Sequence, residues 1–471
     1  MKDNKLGLGL LVMLGVGSMI GGGIFNSPTD LINVSNPQTT LIAWGIGGTG
    51  IVFLALVFQM LAEKRSKLTG GIFNYAYKGF GEFIGFNSAW GYWMSAWIGN
   101  VALYTLMFKT IDDLFGGVNP LLSFALASSF HWGIFYIQTK GAKEAGIINA
   151  IVNLTKFIPV ILVIGLGIFA FSVDIFNVDN WTNILASKAG TTEAATTILS
   201  QIKNSMGTIL WCFVGIEAAV VLSEKAKSQK IVGKATVISI VIALSTYVAV
   251  SIIGMGVVPA NELGVATTPF ALILEKTALG NLGGVVVKLG LILALSGASI
   301  SWLMVTSEIP YIVAKEGLMP KWFTKKNKKD VPINALFMTT LCMQILLFAL
   351  LLPQLQSAYS MLSTIATSTI LVPYLLSSLY ALKVCKEDNL STKHFIIAIV
   401  ASLYSFYVLY AVGVIYLGLS IIIYAIGIGV YIKAKKENAH IITKKEKIAM
   451  VVMGVISVVM IVMIATGTIS L

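Results

Sequence analysis

The sequence predicts an all-α integral membrane protein with about 13 transmembrane helices. Of its 471 residues, 56% are hydrophobic and 11% are charged, whereas about 25% of the residues of an ordinary soluble domain are charged. Apolar runs of about 20 or more residues, long enough to cross about 30 Å of hydrocarbon, recur along the chain. Basic residues fall in every second loop between these runs. Together these observations exclude a soluble fold.

Thirteen spans account for the apolar runs in order. The first run lacks an Ala-x-Ala-like cleavage site, so we expect a retained helix. As one helix, residues 394–435 would reach roughly 60 Å, twice the hydrocarbon core, so a turn is required near Val412–Val414. The predicted spans are 7–31, 40–62, 82–112, 117–138, 146–173, 200–223, 231–258, 282–315, 332–353, 355–382, 394–414, 416–435 and 447–469.

The distribution of lysines predicts the orientation of these spans. The richest loop carries six lysines between Lys315 and Lys329, and the loops that alternate with the basic ones carry mainly aspartate and glutamate. The positive-inside rule then places the N-terminus in the cytoplasm of a bacterial cell, and 13 spans place Leu471 outside. The net charge of +12 is therefore assigned to loops at the lipid surface, and no nucleic-acid partner is expected.

The first span has three consecutive glycines, Gly21–Gly23, near its middle. Each glycine disfavours a helix by roughly 1 kcal/mol relative to alanine. An interruption inside a membrane is tolerated only where the freed amides and carbonyls face protein, water or a ligand. Amides that begin the following half-helix suit a carboxylate. Close helix packing through small residues is the alternative interpretation.

The sixth span also has an interior glycine, Gly215, which lies between Trp211 and Glu217. Two interrupted spans five helices apart are typical of inverted-repeat transporters, which hold substrate near the midplane. This pattern predicts a 5+5 inverted-repeat core in residues 1–382, formed by helices 1–10. Residues 383–471 would form the peripheral helices 11–13.

Five sequence segments resemble those of amino acid, polyamine and organocation transporters, and within them the basic amino acid antiporters. They cover most of residues 7–382 in the family's order, and 13 spans resemble the arginine/ornithine exchanger branch. The resemblance implies a LeuT-like fold. The segments are Gly17–Phe25, Ser95–Asn100, Leu210–Glu217, Ser301–Trp302 with Glu316–Pro320 after it, and Leu371–Tyr374.

The resemblance also implies where a substrate would bind. Gly21, Gly22 and Gly23 would cradle the α-carboxylate, with the Gly22 and Gly23 amides as donors. Trp211 would act as a lid, although Trp211 and Trp302 could also be core or lipid-facing aromatic residues. The α-amino group would meet the backbone carbonyls of Met19, Trp211 and Val214, and the distal cation would meet the Trp302 ring, the Asn100 side chain and the carbonyls of Ser95 and Ala96.

Two positions of this implied site have alternative interpretations. Asn100 could instead be an interhelical hydrogen-bond partner. Where family members can have a tenth-helix serine, this chain has Ala366, so Thr364 or Thr367 is the expected substitute.

Three ionisable residues lie within predicted spans. Lys156 is ten residues into the fifth span, about 15 Å deep, and a charge at that depth is a functional hypothesis by default. It resembles a lysine that takes the place of a sodium ion in proton-linked carriers, so we expect it to contact unwound carbonyls of the first span. A permanently charged structural tie is the alternative. Glu217 matches a proposed proton-sensing position, and Glu308 is expected at an inner gate or in a structural role.

These features favour a secondary transporter that exchanges a basic amino acid for its metabolic product. Arginine/ornithine is the favoured pair, with lysine/cadaverine and histidine/histamine as alternatives, followed by proton-coupled symport or uniport and, remotely, an ion channel. No nucleophile–base pair or phosphate-binding loop supports an enzyme, and neither a metal nor a cofactor is expected. The expected partners are an amino acid or amine substrate and the lipid bilayer, and the sequence gives no indication of an oligomeric state.

Overall fold

The computed structural model describes residues 7–68, 71–141, 155–177, 197–217, 226–351 and 358–468, and within these ranges it contains helices and connecting turns but no strand. The predicted all-α class is therefore confirmed. The α-helices are α1 Leu8–Met19, α2 Gly22–Ile32, α3 Pro37–Lys64, α4 Ile72–Phe80, α5 Glu82–Phe115, α6 Pro120–Thr139, α7 Phe157–Ala170, α8 Val173–Phe176, α9 Ile198–Cys212, α10 Gln229–Val257, α11 Ala260–Leu263, α12 Pro269–Glu275, α13 Gly280–Lys315, α14 Ile333–Leu347, α15 Ala358–Glu387, α16 Thr392–Val412, α17 Val414–Glu437 and α18 Lys444–Ala465.

Membrane-spanning length and composition are clear for much of the chain. Among the described residues, eight helices are long and apolar enough to cross a bilayer, and the bent pair α1 and α2 makes a ninth candidate. The apolar helices α7 and α14 have only 14 and 15 residues, or roughly 21–23 Å at 1.5 Å per residue. Both adjoin residues outside the described ranges, so the count of 13 spans stays a prediction.

Helix α5 is long but less apolar, because protein rather than lipid surrounds it. It packs against α13 and α15, and its polar side chains Ser88, Ser95, Asn100 and Thr105 are buried. A helix in this position can carry polar groups that a lipid-facing helix would not tolerate. It supplies one wall of the central cavity described below.

The predicted interruption of the first span is confirmed. Helix α1 ends at Met19, α2 begins at Gly22, and the two axes are bent by 44°. The Ile20 N–H still donates to the Val16 carbonyl at 2.9 Å, so the regular ladder stops one residue later. In an unbroken helix the Gly17 carbonyl would accept from the Gly21 N–H. The break removes the intrahelical N–H donors of the last carbonyls of α1, so these carbonyls need other hydrogen-bond partners.

The sixth predicted span loses helical geometry after Cys212, where α9 ends. Gly215 has a φ of +109°, and a Cβ atom there would lie 2.8 Å from the Ser18 carbonyl oxygen. Both observations require glycine, because other residues rarely adopt this φ and none could approach the α1 backbone so closely. Residues 218–225, which include the predicted second half of this span, lie outside the described ranges.

The C-terminal region contains the turn that the sequence requires. Helix α16 ends at Val412, α17 begins at Val414, and Gly413 between them has a φ of +101°. Helix α16 packs against α3, α9 and α15, whereas α18 packs mainly against α17. The predicted domain boundary at residue 382 falls inside α15, which continues to Glu387.

Candidate functional site

A cavity of about 390 Å³ lies where the ends of α1 and α9 meet α2, α5 and α13. Every residue that the sequence analysis nominated for the substrate lines this cavity, except Thr364 and Thr367. The lining residues, none of them ionisable within the described part of the chain, are Ser18, Met19, Gly21, Gly22, Gly23, Ser95, Ala96, Gly99, Asn100, Leu103, Trp211, Val214 and Trp302.

Gly22 and Gly23, which begin α2, fit both interpretations of the glycines in the first span: free backbone amides and close helix packing. As the first residues of a helix, Gly22 and Gly23 have N–H groups without an intrahelical acceptor, and both residues line the cavity. They are also packed closely. A Cβ on Gly22 would lie 2.4 Å from Leu103 Cδ2, and one on Gly23 would lie 3.0 Å from Cys212 Cα. The same residues therefore allow close packing and present backbone donors to the cavity.

Asn100 presents an acceptor at the α5 wall. The side chain is 1% exposed, and its Nδ2 donates to the Ser299 carbonyl at 3.1 Å. Its Oδ1 has no hydrogen-bond partner among the described residues. A buried amide oxygen without a partner is unfavourable by roughly 1–3 kcal/mol. A cationic donor in the cavity would relieve that penalty.

Trp211 lies between the central cavity and a second one, which is called the outer cavity after the predicted orientation of the chain. A third cavity, beyond Trp302, is called the inner cavity on the same basis. Trp211 lines both the central and the outer cavity, and its Nε1 donates to the Tyr359 hydroxyl at 2.9 Å. Gly99 leaves room for the ring, since a Cβ there would lie 2.9 Å from Trp211 Cη2. Trp211 therefore occupies the position expected of a lid, held by a tyrosine that the sequence analysis did not nominate.

Thr364 and Thr367 lie away from the central cavity. Their hydroxyls donate to carbonyls one turn earlier in α15, Ser360 and Ser363, each at 2.7 Å. Thr364 lines the outer cavity instead. The contact between α15 and the lining residue Ser95 is made by the Ala366 carbonyl, which accepts from Ser95 Oγ at 2.7 Å. Neither threonine lines the central cavity, and a role for them in substrate binding stays a prediction.

An inner cavity of about 420 Å³ lies on the other side of Trp302, which lines both this cavity and the central one. Its lining also includes Gly17, Ser18 and Tyr92. The Lys156 side chain is 1% exposed, and its Nζ donates to the Gly17 carbonyl. The expected contact between Lys156 and an unwound carbonyl of the first span is therefore present. The predicted start of its helix near Gly146 lies outside the described ranges.

The Glu217 side chain is completely buried within the protein. Its Oε2 accepts hydrogen bonds from the Tyr374 hydroxyl at 2.6 Å and from the Gly215 N–H at 3.2 Å. The Tyr92 hydroxyl also faces this carboxylate. Glu217 thus joins α15 and α5 to the end of the sixth span. Glu308 is half-buried on α13, and its role stays a prediction.

Tyr247 on α10 connects the two breaks. Its hydroxyl oxygen lies 2.8 Å from the Met19 carbonyl oxygen and 2.6 Å from that of Cys212, the last residues of α1 and α9. Nearby, Ser18 Oγ lies 2.9 Å from the Gly215 carbonyl. The sequence analysis missed Tyr247. The available signal was a tyrosine inside an apolar span, since a buried tyrosine hydroxyl usually has a partner.

Comparison with known proteins covers nearly the whole chain. The amino acid permease family model matches residues 6–456. An arginine/ornithine antiporter of Pseudomonas aeruginosa is 37% identical, with 96% of each chain covered. A putative arginine/ornithine antiporter of Escherichia coli K12 is 35% identical over 93% of this chain and 94% of its own. A putative amino-acid transporter of Clostridium perfringens is 35% identical over 98% of both chains.

We expect Tyr247→Phe to lower the free energy of unfolding by about 1–3 kcal/mol, because the one hydroxyl within hydrogen-bond distance of two buried carbonyl oxygens is lost. The measurement is the thermal unfolding midpoint of the purified protein in detergent. Tyr404→Phe is the matched control, since the buried Tyr404 hydroxyl has no hydrogen-bond partner among the described residues. Equal midpoints for the two variants would contradict the role of Tyr247.

Proposed function

This chain belongs to the amino acid permease family of membrane transporters, and we propose that it exchanges a basic amino acid for the product of that amino acid's metabolism. Arginine and ornithine are the favoured pair, in line with the names of the relatives in Pseudomonas aeruginosa and Escherichia coli. The exchange would take place across a bacterial cytoplasmic membrane, with the lysine-rich loops and the N-terminus inside and, with 13 spans, the C-terminus outside.

The central cavity supports this proposal most directly. Its described lining is uncharged, but hydrogen-bond donors lie at one end and an aromatic ring and an acceptor lie at the other. One end has the Gly22 and Gly23 N–H groups at the positive end of the α2 dipole, which would bind a carboxylate. The other end has the Trp302 ring and Asn100 Oδ1. A cation over an indole ring gains about 0.5–2 kcal/mol without a buried counter-charge. The α-amino group would lie between them, against the carbonyls of Met19, Trp211 and Val214.

The absence of charge among the described lining residues also favours release of the substrate, which each exchange cycle requires. A carboxylate inside the cavity would hold a cationic substrate strongly, because opposite charges attract far more in a low-dielectric interior than in water. Hydrogen bonds and an aromatic face bind the same cation more weakly. Arginine and ornithine can then displace each other at one site, as exchange requires.

Cavities on both sides of the central one support alternating access, in which each side opens in turn. On the outer side, Trp211 and its partner Tyr359 would form the gate. On the inner side, Trp302, Tyr92 and the Glu217–Tyr374 hydrogen bond lie between the central cavity and the lysine-rich loops in the proposed topology. Glu308 would act at this inner gate or support it. The repeat core would extend over residues 1–382, with residues 383–471 around it.

Proton-coupled uptake is the second candidate, and the buried Lys156 favours it. The lysine binds the carbonyl that the first break exposes, so its protonation would affect how the end of α1 is held. A neutral amine has one donor fewer and no charge, and it would bind Gly17 less strongly. Proton release and α1 movement would then be linked.

A counterflow assay tests obligate exchange directly. Proteoliposomes loaded with ornithine should take up labelled arginine several times faster than empty vesicles, and cadaverine or histamine inside should accelerate uptake less. The same series with labelled lysine and histidine identifies the physiological pair. Efficient arginine uptake into empty vesicles under a proton gradient would reject obligate exchange in favour of the second candidate, and single-channel conductance in planar bilayers would indicate a channel.

We expect Lys156→Met to lower the exchange rate at least tenfold and to flatten its pH dependence, because the buried Gly17 carbonyl loses its charged donor. The rate would be measured between pH 5 and pH 9 in proteoliposomes. Lys383→Met is the matched control, since Lys383 also donates to a backbone carbonyl, that of Gly79 at 3.0 Å, but is exposed. Wild-type exchange with unchanged pH dependence in Lys156→Met would remove the lysine from the coupling mechanism.

A further inference from the structure

The outer cavity has a volume of about 1,000 Å³ and a lining unlike that of the central cavity. Its described wall contains one carboxylate, Asp30, and the aromatic rings of Trp211 and Tyr416. The remaining lining residues are neutral: Asn33, Val34, Asn204, Gly207, Thr208, Ser360, Ser363, Thr364, Ala411 and Val412. A net negative cavity on one side of the Trp211 gate differs from the uncharged site on the other side.

The Asp30 carboxylate is oriented by neutral donors. Asn26 Nδ2 donates to Oδ1 at 2.7 Å, and Ser360 Oγ lies 3.4 Å from the same atom. No lysine, arginine or histidine of the described ranges lies within 4 Å of it to form an ion pair. Lys109 acts on it only at longer range. Asp30 therefore has capacity to pair with a mobile cation.

Asp30 is also linked to the central cavity along α2. Gly22, Asn26 and Asp30 follow each other at intervals of four residues, so they form one stripe along the helix. Gly22 lines the central cavity and Asp30 lines the outer cavity, about 12 Å further along at 1.5 Å per residue. Asn26 lies between them, 5% exposed, and its Oδ1 has no partner among the described residues. Asn26 Oδ1 and the Asp30 carboxylate are thus acceptors on this stripe, whereas Gly22 at its other end contributes an N–H donor.

We propose that the outer cavity is a second binding site, in which Asp30 captures the cationic group of a basic amino acid or diamine before Trp211 opens. The proposal rests on the exchange function proposed above and adds to it a separate, weaker site. Asp30 would attract the cation electrostatically, and Tyr416 and Trp211 would offer aromatic faces. Because the cavity adjoins solvent on its open side, the attraction is screened and the ligand can move on.

The kinetic test moves the carboxylate from position 30 to position 204. Both exchanges are between aspartate and asparagine, whose side chains have nearly the same shape. Asn204 lines the same cavity and is exposed, so Asn204→Asp can restore the charge in an Asp30→Asn background. In intact cells, Asp30→Asn should raise the KM for external arginine about fivefold, the size of an exposed ion pair, with an unchanged maximal rate. The double variant should recover most of this loss, and high ionic strength should reduce the difference.

In the same experiment, KM at the inner face, measured in inverted vesicles, should not change. Asp330→Asn is the matched control, because Asp330 is exposed beside Lys326 on a lysine-rich loop. A fall in maximal rate that Asn204→Asp does not rescue would assign Asp30 a structural role and overturn the proposal. Absence of arginine exchange by the wild type would instead reject the proposed function.

A second measurement does not depend on transport. Thr208→Cys places a thiol in the outer cavity, where cationic and anionic methanethiosulfonate reagents can compete. With Asp30 present, the cationic reagent should react several times faster than the anionic one, and arginine should slow it. Asp30→Asn should abolish the preference, and Asn204→Asp should restore it. Rates that do not depend on these charges would overturn the outer site whether or not exchange is found.

Discussion

An interrupted helix inside a membrane protein must provide partners for the backbone groups that the interruption frees. A peptide carbonyl without a partner in an apolar interior is unfavourable by several kcal/mol. At the first break, the Gly17 carbonyl accepts a hydrogen bond from Lys156, which precedes α7. The Met19 carbonyl lies within hydrogen-bond distance of the Tyr247 hydroxyl on α10. Tyr247 also contacts Cys212 at the end of α9. The central cavity depends on these contacts, since they hold both helix ends open around it.

The same constraint explains the contrast between the cavities. In the proposed mechanism the central cavity would bind its substrate through backbone amides, carbonyls, an amide side chain and an indole ring, so it would need no fixed charge. Charged side chains lie around it instead: Lys156 at Gly17, Glu217 after the break of the sixth span, and Asp30 beyond Trp211. In the proposed mechanism Lys156 holds the end of α1, Glu217 forms part of the inner gate, and Asp30 attracts the arriving substrate. The central cavity itself is uncharged, so it can release its substrate.

Features that depend on local backbone preference could be predicted from the sequence. The interruptions of the first span at Gly21–Gly23 and of the sixth span at Gly215 are of this kind, whereas the turn near Gly413 was predicted from the length of the apolar run. The contact between Lys156 and the first span was also predicted, through the resemblance to known carriers. The roles of Tyr247 and Tyr359 could not be predicted, because their partners are distant in sequence and only tertiary packing brings them together. The hydroxyls of Thr364 and Thr367 donate to carbonyls within α15, and the resemblance of the Leu371–Tyr374 segment does not specify the direction of these side chains.

The central claim is that one neutral cavity holds both ends of a basic amino acid. A cryo-electron microscopy structure of the protein in lipid nanodiscs with bound arginine tests it most directly. The account predicts the arginine carboxylate within hydrogen-bond distance of the Gly22 and Gly23 N–H groups, and the guanidinium between the Trp302 ring and Asn100 Oδ1. Arginine in the reverse orientation, or bound only outside the central cavity, would contradict it.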